Sequence, residues 1–189
     1  SEPGHGVTVL GSTIVLKVLA ETPIASAANG AYSHRLGRYW LAGGASNSGG
    51  NVLAQYVTPE QLREMTPLLD PDTPTGLNYY PLIDIGERFP VNDPNRPPKL
   101  EPLPGDSLVF LQGMLEGMAR IEADGYAVLT ELGAPPLRAV WTTGSGSQNP
   151  AWTRIRARTL GVPLRAPRSP HPAFGAALVA AGILARAYA

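Results

Sequence analysis

The sequence contains no cysteine, no long apolar run and few aromatic residues. The absence of cysteine excludes disulfides, thiolate catalysis and cysteine-ligated metal sites, and it is compatible with the cytoplasm. No apolar run approaches the roughly 20 residues that cross a membrane, and the first residues lack the basic head and apolar stretch of a signal peptide. Aromatic residues make up 7%, and no basic cluster alternates with them, which disfavours binding to nucleic acid. The 189 residues therefore predict one soluble domain without a membrane or nucleic-acid partner.

The charges are unevenly distributed, although the formal net charge is zero. All 15 acidic residues lie at or before Glu131, together with eight of the 15 basic residues, so residues 1–131 carry a net charge of −7. The remaining 58 residues contain seven arginines and no acidic residue. Such a segment would help to attract a polyphosphate. The alternative is that Arg154, Arg156 and Arg158 only solvate one face of a helix.

Strand patterns dominate the first part of the chain, and helices alternate with strands afterwards. The predicted strands are residues 7–10, 14–19, 31–36, 38–42, 139–142 and 162–164. Two short helices are predicted to begin at residues 52 and 58. Three longer ones are predicted from Asp106 to Gly133, from Asn149 to Gly161 and from residue 173 to residue 187. This order predicts a mixed α/β domain.

Residues 81–105 are rich in proline and hold few apolar residues. They predict an irregular excursion that is long for a compact domain. Excursions of this length are usually functional, so we expect either a functional segment or a lid-like insertion.

Three turns made of small residues, at 11–13, 43–50 and 144–149, stand out as candidate ligand sites. The third joins a predicted strand to a predicted helix. Glycine lets a backbone approach a ligand closely, and the free N–H groups at the start of a helix favour anions. Different turns could supply N–H groups to different parts of one nucleotide. The alternative is that the glycines serve only the geometry of the turns.

Two nucleotide-binding motifs are disfavoured by the residues present in the last third of the chain. A dinucleotide fingerprint needs a third glycine and an acidic residue about 20 positions later, which holds the ribose. Here Asn149 replaces the third glycine and no acidic residue lies beyond it. A phosphate-binding loop that ends in Gly-Lys-Ser/Thr is absent, because no lysine lies beyond Lys99. A nicotinamide enzyme and a P-loop enzyme are both disfavoured.

The remaining titratable residues do not predict a catalytic or metal site. His5, His34 and His171 each stand alone, without a second ligand at metal spacing. Glu116 and Glu122, on the long predicted helix, are expected to face solvent or to bond locally rather than to act as a catalytic pair.

Four motifs resemble the second, nucleotide-binding domain of the FGGY carbohydrate kinases, and the likeness covers essentially the whole chain. They are Leu-Gly-Ser-Thr at 10–13, Leu-Glu-Gly-Met-Ala at 115–119, the glycine turn with Asn-Pro-Ala-Trp at 144–152, and Ala-Phe-Gly-Ala-Ala at 173–177. In the family they correspond to a phosphate hairpin, a helix, the adenosine loop and the last helix. Residues 43–50 and the segment Gly-Glu-Arg-Phe-Pro-Val-Asn-Asp-Pro at 86–94 resemble the cyanobacterial and plant D-ribulose kinase subgroup.

The resemblance implies an α/β domain of the ribonuclease H-like, actin-like ATPase type over residues 1–189, with a mixed sheet flanked by helices. It implies the ATP-binding half of a two-domain pentulose kinase, which transfers the γ-phosphate of ATP, with Mg²⁺, to a hydroxyl of a small sugar such as D-ribulose. The implied nucleotide contacts are Gly11, Ser12 and Thr13 at the phosphates, Gly44 and Asn47 beside them, and Gly144, Ser145, Gly146, Ser147, Asn149 and Trp152 around the adenosine.

The same resemblance implies that catalysis needs residues from outside this chain. The family's catalytic aspartate lies shortly before the Leu-Gly-Ser-Thr turn, whereas the first aspartate here is Asp70, and the sugar-binding first domain has no counterpart. We therefore expect no catalytic residue, weak binding of ATP and no sugar phosphorylation by the chain alone. Ser145 stands where the family keeps glycine against the adenine, which is expected to lower affinity. A xylulose or other polyol kinase, and a nucleotide-binding or interaction module without catalysis, stay open as alternatives, as does the oligomeric state.

Overall fold

A six-stranded mixed sheet forms the centre of the computed structural model, which describes residues 2–169 and 172–181. The spatial order of the strands is β3-β4-β2-β1-β5-β6. Their bounds are β1 (His5–Leu10), β2 (Ile14–Ala20), β3 (Tyr32–Leu36), β4 (Tyr39–Ala45), β5 (Ala139–Thr143) and β6 (Leu164–Arg165). The first four strands pair antiparallel, and β5 and β6 continue the sheet parallel to β1. All six strands agree with the sequence prediction to within a few residues.

The parallel pair β1–β5 positions the candidate site. Thr8 lies opposite Thr142 and Val9 lies opposite Thr143, so both strands end at the same edge of the sheet. Because parallel strands point the same way, the turns after them must be neighbours. Residues 11–13 and 144–149 are brought together in this way.

The helices begin and end close to the residues that the caps indicate. Their bounds are α1 (Gly50–Leu53), α2 (Pro59–Met65), α3 (Ser107–Glu131), α4 (Pro150–Leu160) and α5 (Pro172–Ala180), with 3₁₀ turns at Thr66–Leu68 and Ser145–Gln148. Thr58 and Gln61 form a capping box at α2, and the Asp106 side chain accepts from the Leu108 N–H at 2.8 Å at the start of α3. Gly161 ends α4 with a φ of 65°. Residues 182–187 of the predicted last helix lie outside the described residues.

The long helix α3 packs across β2 and β4 and forms the core with them. Its Gly125 lies directly against Leu16 of β2 and the ring of Phe89, where a Cβ atom would collide with both side chains. Helix and sheet therefore approach closely at this point. The largest fully buried apolar side chains are Tyr79, Phe89, Leu10, Ile14, Leu16, Leu82, Leu111, Met114, Leu115, Met118 and Ile121.

Residues 81–105 contain no helix and no regular strand, and their part as a functional or lid-like segment stays a prediction. Phe89, at the middle of the segment, is fully buried in the core. The Asn92 side chain donates to the Ala27 carbonyl at 2.8 Å, and the Asn29 side chain donates back to the Pro90 carbonyl at 3.2 Å. The segment is thus fixed to residues 27–29 by side-chain hydrogen bonds in both directions.

Among residues 2–169 and 172–181, no helix has the length and apolar character that crossing a membrane requires.

Candidate functional site

Three turns meet at the edge of the sheet where β1 and β5 end. The N–H of Gly50 donates to the Gly11 carbonyl at 2.9 Å, and the N–H of Asn51 donates to the Ser12 carbonyl at 3.1 Å. On the other side, Gly144 has a φ of 90°, and a Cβ atom there would lie 2.5 Å from the Leu10 carbonyl oxygen. The three small-residue turns of the sequence therefore form one surface, and glycine is required for their contact.

The β1–β2 turn presents backbone donors at this surface. Its Gly11 and Ser12 carbonyls accept the two bonds from the loop that precedes and opens α1. Within the described part of the chain, the N–H groups of Ser12 and Thr13 donate to no protein acceptor. Consecutive N–H groups that are free at a turn are a common way to hold an anion. The place of Ser12 and Thr13 at a phosphate stays a prediction.

A cleft opens between this turn and the α1–α2 region. Its volume is about 310 Å³, within the range of small-molecule sites. A second hollow of about 440 Å³ adjoins it and shares part of its lining. The walls are mostly apolar, and the cleft is lined by Gly11, Gly50, Leu53, Ala54, Val57, Thr58, Pro59, Leu62, Ser145, Gly146, Asn149 and Trp152.

Gly146 and Trp152 form one wall of the cleft. The indole of Trp152 is 2% exposed, and a Cβ atom on Gly146 would lie 2.5 Å from its Cζ3 atom. A side chain at Gly146 would also meet Leu10, at 2.8 Å from its Cβ atom. The neighbouring Ser145 faces the cleft as well. Glycine at 146 thus allows the turn to lie directly against Trp152 and Leu10.

Asn149 lines the cleft, but both ends of its amide are already bonded to the protein. Its Oδ1 accepts from the Trp152 N–H at 2.9 Å, which caps α4, and its Nδ2 donates to Thr66 Oγ1 at 3.0 Å. The side chain therefore joins the start of α4 to the segment after α2. Its part is to hold two walls of the cleft together.

Besides Ser12, Thr13 and Gly144, three predicted contacts do not line the cleft. Gly44 is buried inside β4, where its Cα packs against the ring of Phe89. The N–H of Asn47 donates to Glu87 Oε1 at 2.6 Å, and its amide donates to the Gly86 carbonyl at 3.0 Å. Internal packing and hydrogen bonds therefore engage both residues, and their place beside the phosphates stays a prediction.

Ser147 is the third of these residues. Its hydroxyl donates to the Gly144 carbonyl at 2.7 Å and so closes the 3₁₀ turn. It lines a separate hollow of about 290 Å³ together with Thr142 and Arg165. Gly144 lines neither hollow, although its positive φ shapes the turn that does.

The three arginines of α4 pair with acidic residues from the first part of the chain. Arg156 is fully buried, and its guanidinium donates to Glu122 at 2.5 and 2.7 Å and to Thr142 Oγ1 at 3.0 Å. Arg158 lies 3.3 Å from Glu116, and Arg154 pairs with Asp72. Acidic residues from the first part of the chain therefore pair with all three arginines. Arg156 is removed from the helix surface, whereas the side chain of Arg154 stays 61% exposed on it.

Glu116 and Glu122 are correspondingly buried, whereas we expected solvent exposure or local bonds; of the two, Glu116 does accept one local bond, from the Gln112 amide at 3.2 Å. Glu122 also accepts from Thr8 Oγ1 at 2.6 Å, which links α3 to β1. Glu116 accepts from the Thr75 hydroxyl at 2.6 Å. Both carboxylates bind partners at least 34 residues away in sequence. They hold elements together and lie outside the cleft.

A third buried carboxylate, Glu87, is one that sequence reasoning missed. It is 2% exposed and accepts hydrogen bonds from Ser46, Asn47, Arg88 and Tyr80. Burial and the negative charge of Glu87 raise the pKa of Tyr80. The motif at 86–94 was the available signal, but the sequence gives no indication of where this side chain points.

Among the described residues, no three His, Asp or Glu side chains gather where they could hold a metal ion.

Comparison with known proteins decides the family. Residues 6–183 match the C-terminal domain of the FGGY family of carbohydrate kinases. The chain belongs to this family. Solved structures of FGGY-type kinases share its architecture, which confirms the predicted α/β fold of the actin-like ATPase type.

Three of these structures show how much of a kinase the FGGY domain represents. A xyloylose kinase from Brucella ovis is 28% identical, with a TM-score of 0.81, and the match covers 100% of this chain and 40% of that one. A xylulose kinase from Bifidobacterium adolescentis is 21% identical, with a TM-score of 0.73 and coverage of 89% and 34%. Plasmodium falciparum glycerol kinase, solved with ADP, is 14% identical, with a TM-score of 0.76 and coverage of 100% and 40%. The chain therefore spans about 40% of the length of the first of these relatives.

Proposed function

We propose that this domain is the nucleotide-binding side of an ATP-dependent carbohydrate kinase. The observation that carries the proposal is the cleft at the β1–β5 edge, an apolar groove lined in part by Gly11. Gly11 begins the turn in which the N–H groups of Ser12 and Thr13 donate to no acceptor among the described residues. An apolar groove suits a purine ring, and free backbone donors suit phosphate oxygens. The family membership and the ADP bound by the Plasmodium relative agree with this assignment.

The residues of the cleft fit ATP in two respects. Gly146 lets the turn pack directly against Trp152 in one wall of the cleft, and Leu53 and Leu62 add to its apolar lining. The turn at Ser12 and Thr13 would hold the phosphates at the end of this groove. Mg²⁺, if bound through the phosphates, would neutralise part of their charge during transfer.

The proposed reaction is attack of a sugar hydroxyl on the γ-phosphate of ATP. Catalysis of this kind rests mainly on positioning and on electrostatic stabilisation. The described residues supply the positioning of the nucleotide. We expect the base that accepts the hydroxyl proton, and most contacts to the sugar, to come from the rest of the kinase.

For the sugar we propose a pentulose, with D-ribulose first because residues 43–50 and 86–94 resemble the D-ribulose kinase subgroup. Xylulose is the second candidate, since the Brucella relative, at 28% identity, is a xyloylose kinase. Assays of the complete kinase with each pentulose, under equal conditions, decide between the two sugars by comparing kcat/KM.

Calorimetry with ATP and Mg²⁺ on the 189-residue chain tests the nucleotide assignment. We expect weak binding by the unaltered chain and at least about tenfold weaker binding by Gly146→Ala, because the added methyl group collides with Trp152 and narrows the groove. Gly105→Ala is the matched control, since a Cβ atom there meets no neighbour within 4 Å. Equal binding by Gly146→Ala and the control would contradict the proposed groove. Absence of any ATP binding would favour the interaction module.

A further inference from the structure

We propose that Glu87 is a positioning residue that sets the geometry of the phosphate-binding turn at 11–13. It acts through residues 46–51, which we call the bracing loop. The proposal rests on the proposed function of the cleft for its role in ATP binding, but its structural part stands on the hydrogen bonds of the bracing loop alone.

The carboxylate of Glu87 is enclosed by neutral donors. Oε2 accepts from the Ser46 hydroxyl at 2.7 Å and from the Tyr80 hydroxyl at 3.1 Å. Oε1 accepts from the N–H of Asn47 at 2.6 Å and from the N–H of Arg88 at 2.9 Å. Within the described part of the chain, no cationic group lies within 4.0 Å of it. Four donors thus compensate a buried negative charge without an ion pair.

A chain of hydrogen bonds leads from Glu87 to the turn. The hydroxyl of Ser46, fixed by Glu87, accepts from the N–H of Ser48 at 2.9 Å. The backbone of the same residues bonds to Ile14, because the Ser46 N–H donates to the Ile14 carbonyl at 2.9 Å and the Ile14 N–H donates to the Ser48 carbonyl at 2.8 Å. The first residue after the turn is therefore held on both sides.

The bracing loop then reaches the turn itself. The N–H groups of Gly50 and Asn51 engage the carbonyls of Gly11 and Ser12. These two bonds fix the backbone of the turn, in which the N–H groups of Ser12 and Thr13 donate to no acceptor among the described residues. A carboxylate cannot bind a phosphate directly, so any effect of Glu87 on the nucleotide must pass through this loop.

The chemistry of the partners explains why the residue is a carboxylate. All four neighbours of Glu87 donate, and an ionised carboxylate has two oxygens that only accept. A glutamine in the same place would point its NH₂ group at one pair of donors. The loop would have to shift to avoid this contact, although the side chain keeps its shape and size.

Glu87→Gln tests the proposal, with Glu116→Gln as the matched control. Glu116 is also buried and accepts from the Thr75 hydroxyl, but it lies outside the cleft. The two readouts on the 189-residue chain are amide hydrogen exchange of Ser48, Gly50 and Asn51 and the Kd for ATP with Mg²⁺. We expect Glu87→Gln to raise the exchange rate of these amides at least about tenfold. We also expect it to raise the Kd for ATP at least about tenfold. Glu116→Gln should lower Tm and leave both readouts unchanged.

Ser46→Ala gives a second, milder test if Glu87→Gln does not fold. It removes only the hydroxyl that connects Glu87 to Ser48, and we expect faster exchange at Ser48 together with weaker ATP binding. Unchanged exchange at the bracing loop in a folded variant overturns the proposal. If the unaltered chain binds no ATP, the proposed function fails, and the exchange comparison still decides whether Glu87 positions the loop.

Discussion

Glu87 and Glu122 are both buried carboxylates, but they are compensated in different ways. Glu122 is fully buried and forms a two-pronged ion pair with Arg156 of α4, supplemented by Thr8 of β1. Glu87 is 2% exposed and accepts only from neutral hydroxyl and backbone N–H groups. The partners of Glu122 belong to one helix and one strand, whereas most partners of Glu87 belong to irregular segments.

The difference separates two structural tasks. An ion pair joins two elements that already have internal hydrogen bonds, so it fixes how α3, α4 and the sheet are packed. A carboxylate that gathers free N–H and O–H groups supplies bonds that irregular backbone lacks, so it fixes the shape of a loop. The first task supports the frame of the domain, and the second shapes the edge where we propose that ATP binds.

The largest effect is expected from Arg156→Met, which leaves the Glu122 carboxylate buried without its cation. We expect a loss of about 3–5 kcal/mol in the free energy of unfolding, measured by urea denaturation. The paired change Glu122→Leu with Arg156→Met should recover most of this loss, because no uncompensated charge remains. A loss below about 1 kcal/mol for Arg156→Met would mean that Glu122 does not depend on its ion pair, and the contrast with the neutral donors of Glu87 would fail.

Lys17 extends the comparison to a buried cation that has neither an ion pair nor a hydrogen bond among the described residues. Its ammonium is buried without a hydrogen-bond partner in the described part of the chain, and it lies 3.7 Å from the centre of the Tyr32 ring. Burial lowers the pKa of Lys17 from 10.5 to about 8. Between these pH values the folded chain has released the proton that the unfolded chain still binds, so stability rises with pH across this window.

We expect Lys17→Met to raise the free energy of unfolding at pH 7 by about 1–2 kcal/mol, after allowance for partial exposure to solvent. The variant should also lose the rise in stability between pH 8 and 10.5. Urea denaturation at pH 7, 8 and 9.5 measures both effects, with Lys99→Met as the control for removal of a lysine elsewhere. The same pH slope in Lys17→Met and the unaltered chain would assign the slope to another group.

The smallest effect is expected from Tyr80→Phe, which removes one of the four donors to Glu87. We expect a loss of about 1 kcal/mol in urea denaturation, typical of one hydrogen bond. Thr8→Val removes a neutral donor to Glu122 and also breaks the 2.9 Å hydrogen bond between Thr8 Oγ1 and the buried Tyr126 hydroxyl, so we expect it to cost more, about 1–3 kcal/mol. A cost several times larger at Tyr80 would mean that Glu87 depends on each donor far more than Glu122 does.

The sequence was sufficient for the parts of the site that depend on local chemistry. Glycines at 144 and 146 mark a turn because few other residues tolerate its φ or its contacts, and Asn149 before a proline marks a helix start. The meeting of the turns results from the parallel pairing of β1 and β5. Fold class, strands and the cleft-lining residues Gly11, Ser145 and Trp152 were therefore accessible from the sequence.

The parts that the sequence could not predict depend on pairs of distant residues. Charge composition shows seven arginines after Glu131, but it does not show that Arg156 meets Glu122, 34 positions earlier. Glu87 and Phe89 lie in a segment without helical or strand periodicity, so no pattern reveals which side chain points inward. Gly44 and Asn47 were placed by resemblance, and in both cases contacts to this same segment occupy them.

The burial of Phe89 affects how domains of this family can be recombined. The segment around it is interlocked with two others, because Gly30 lies directly under the Arg88 carbonyl and Gly44 lies under the Phe89 ring. A chimera that exchanges residues 81–105 alone would place foreign side chains against both glycines. A chimera should therefore fold only when residues 27–30 and 43–47 are exchanged together with this segment. The three stretches are separate in sequence but form one structural unit.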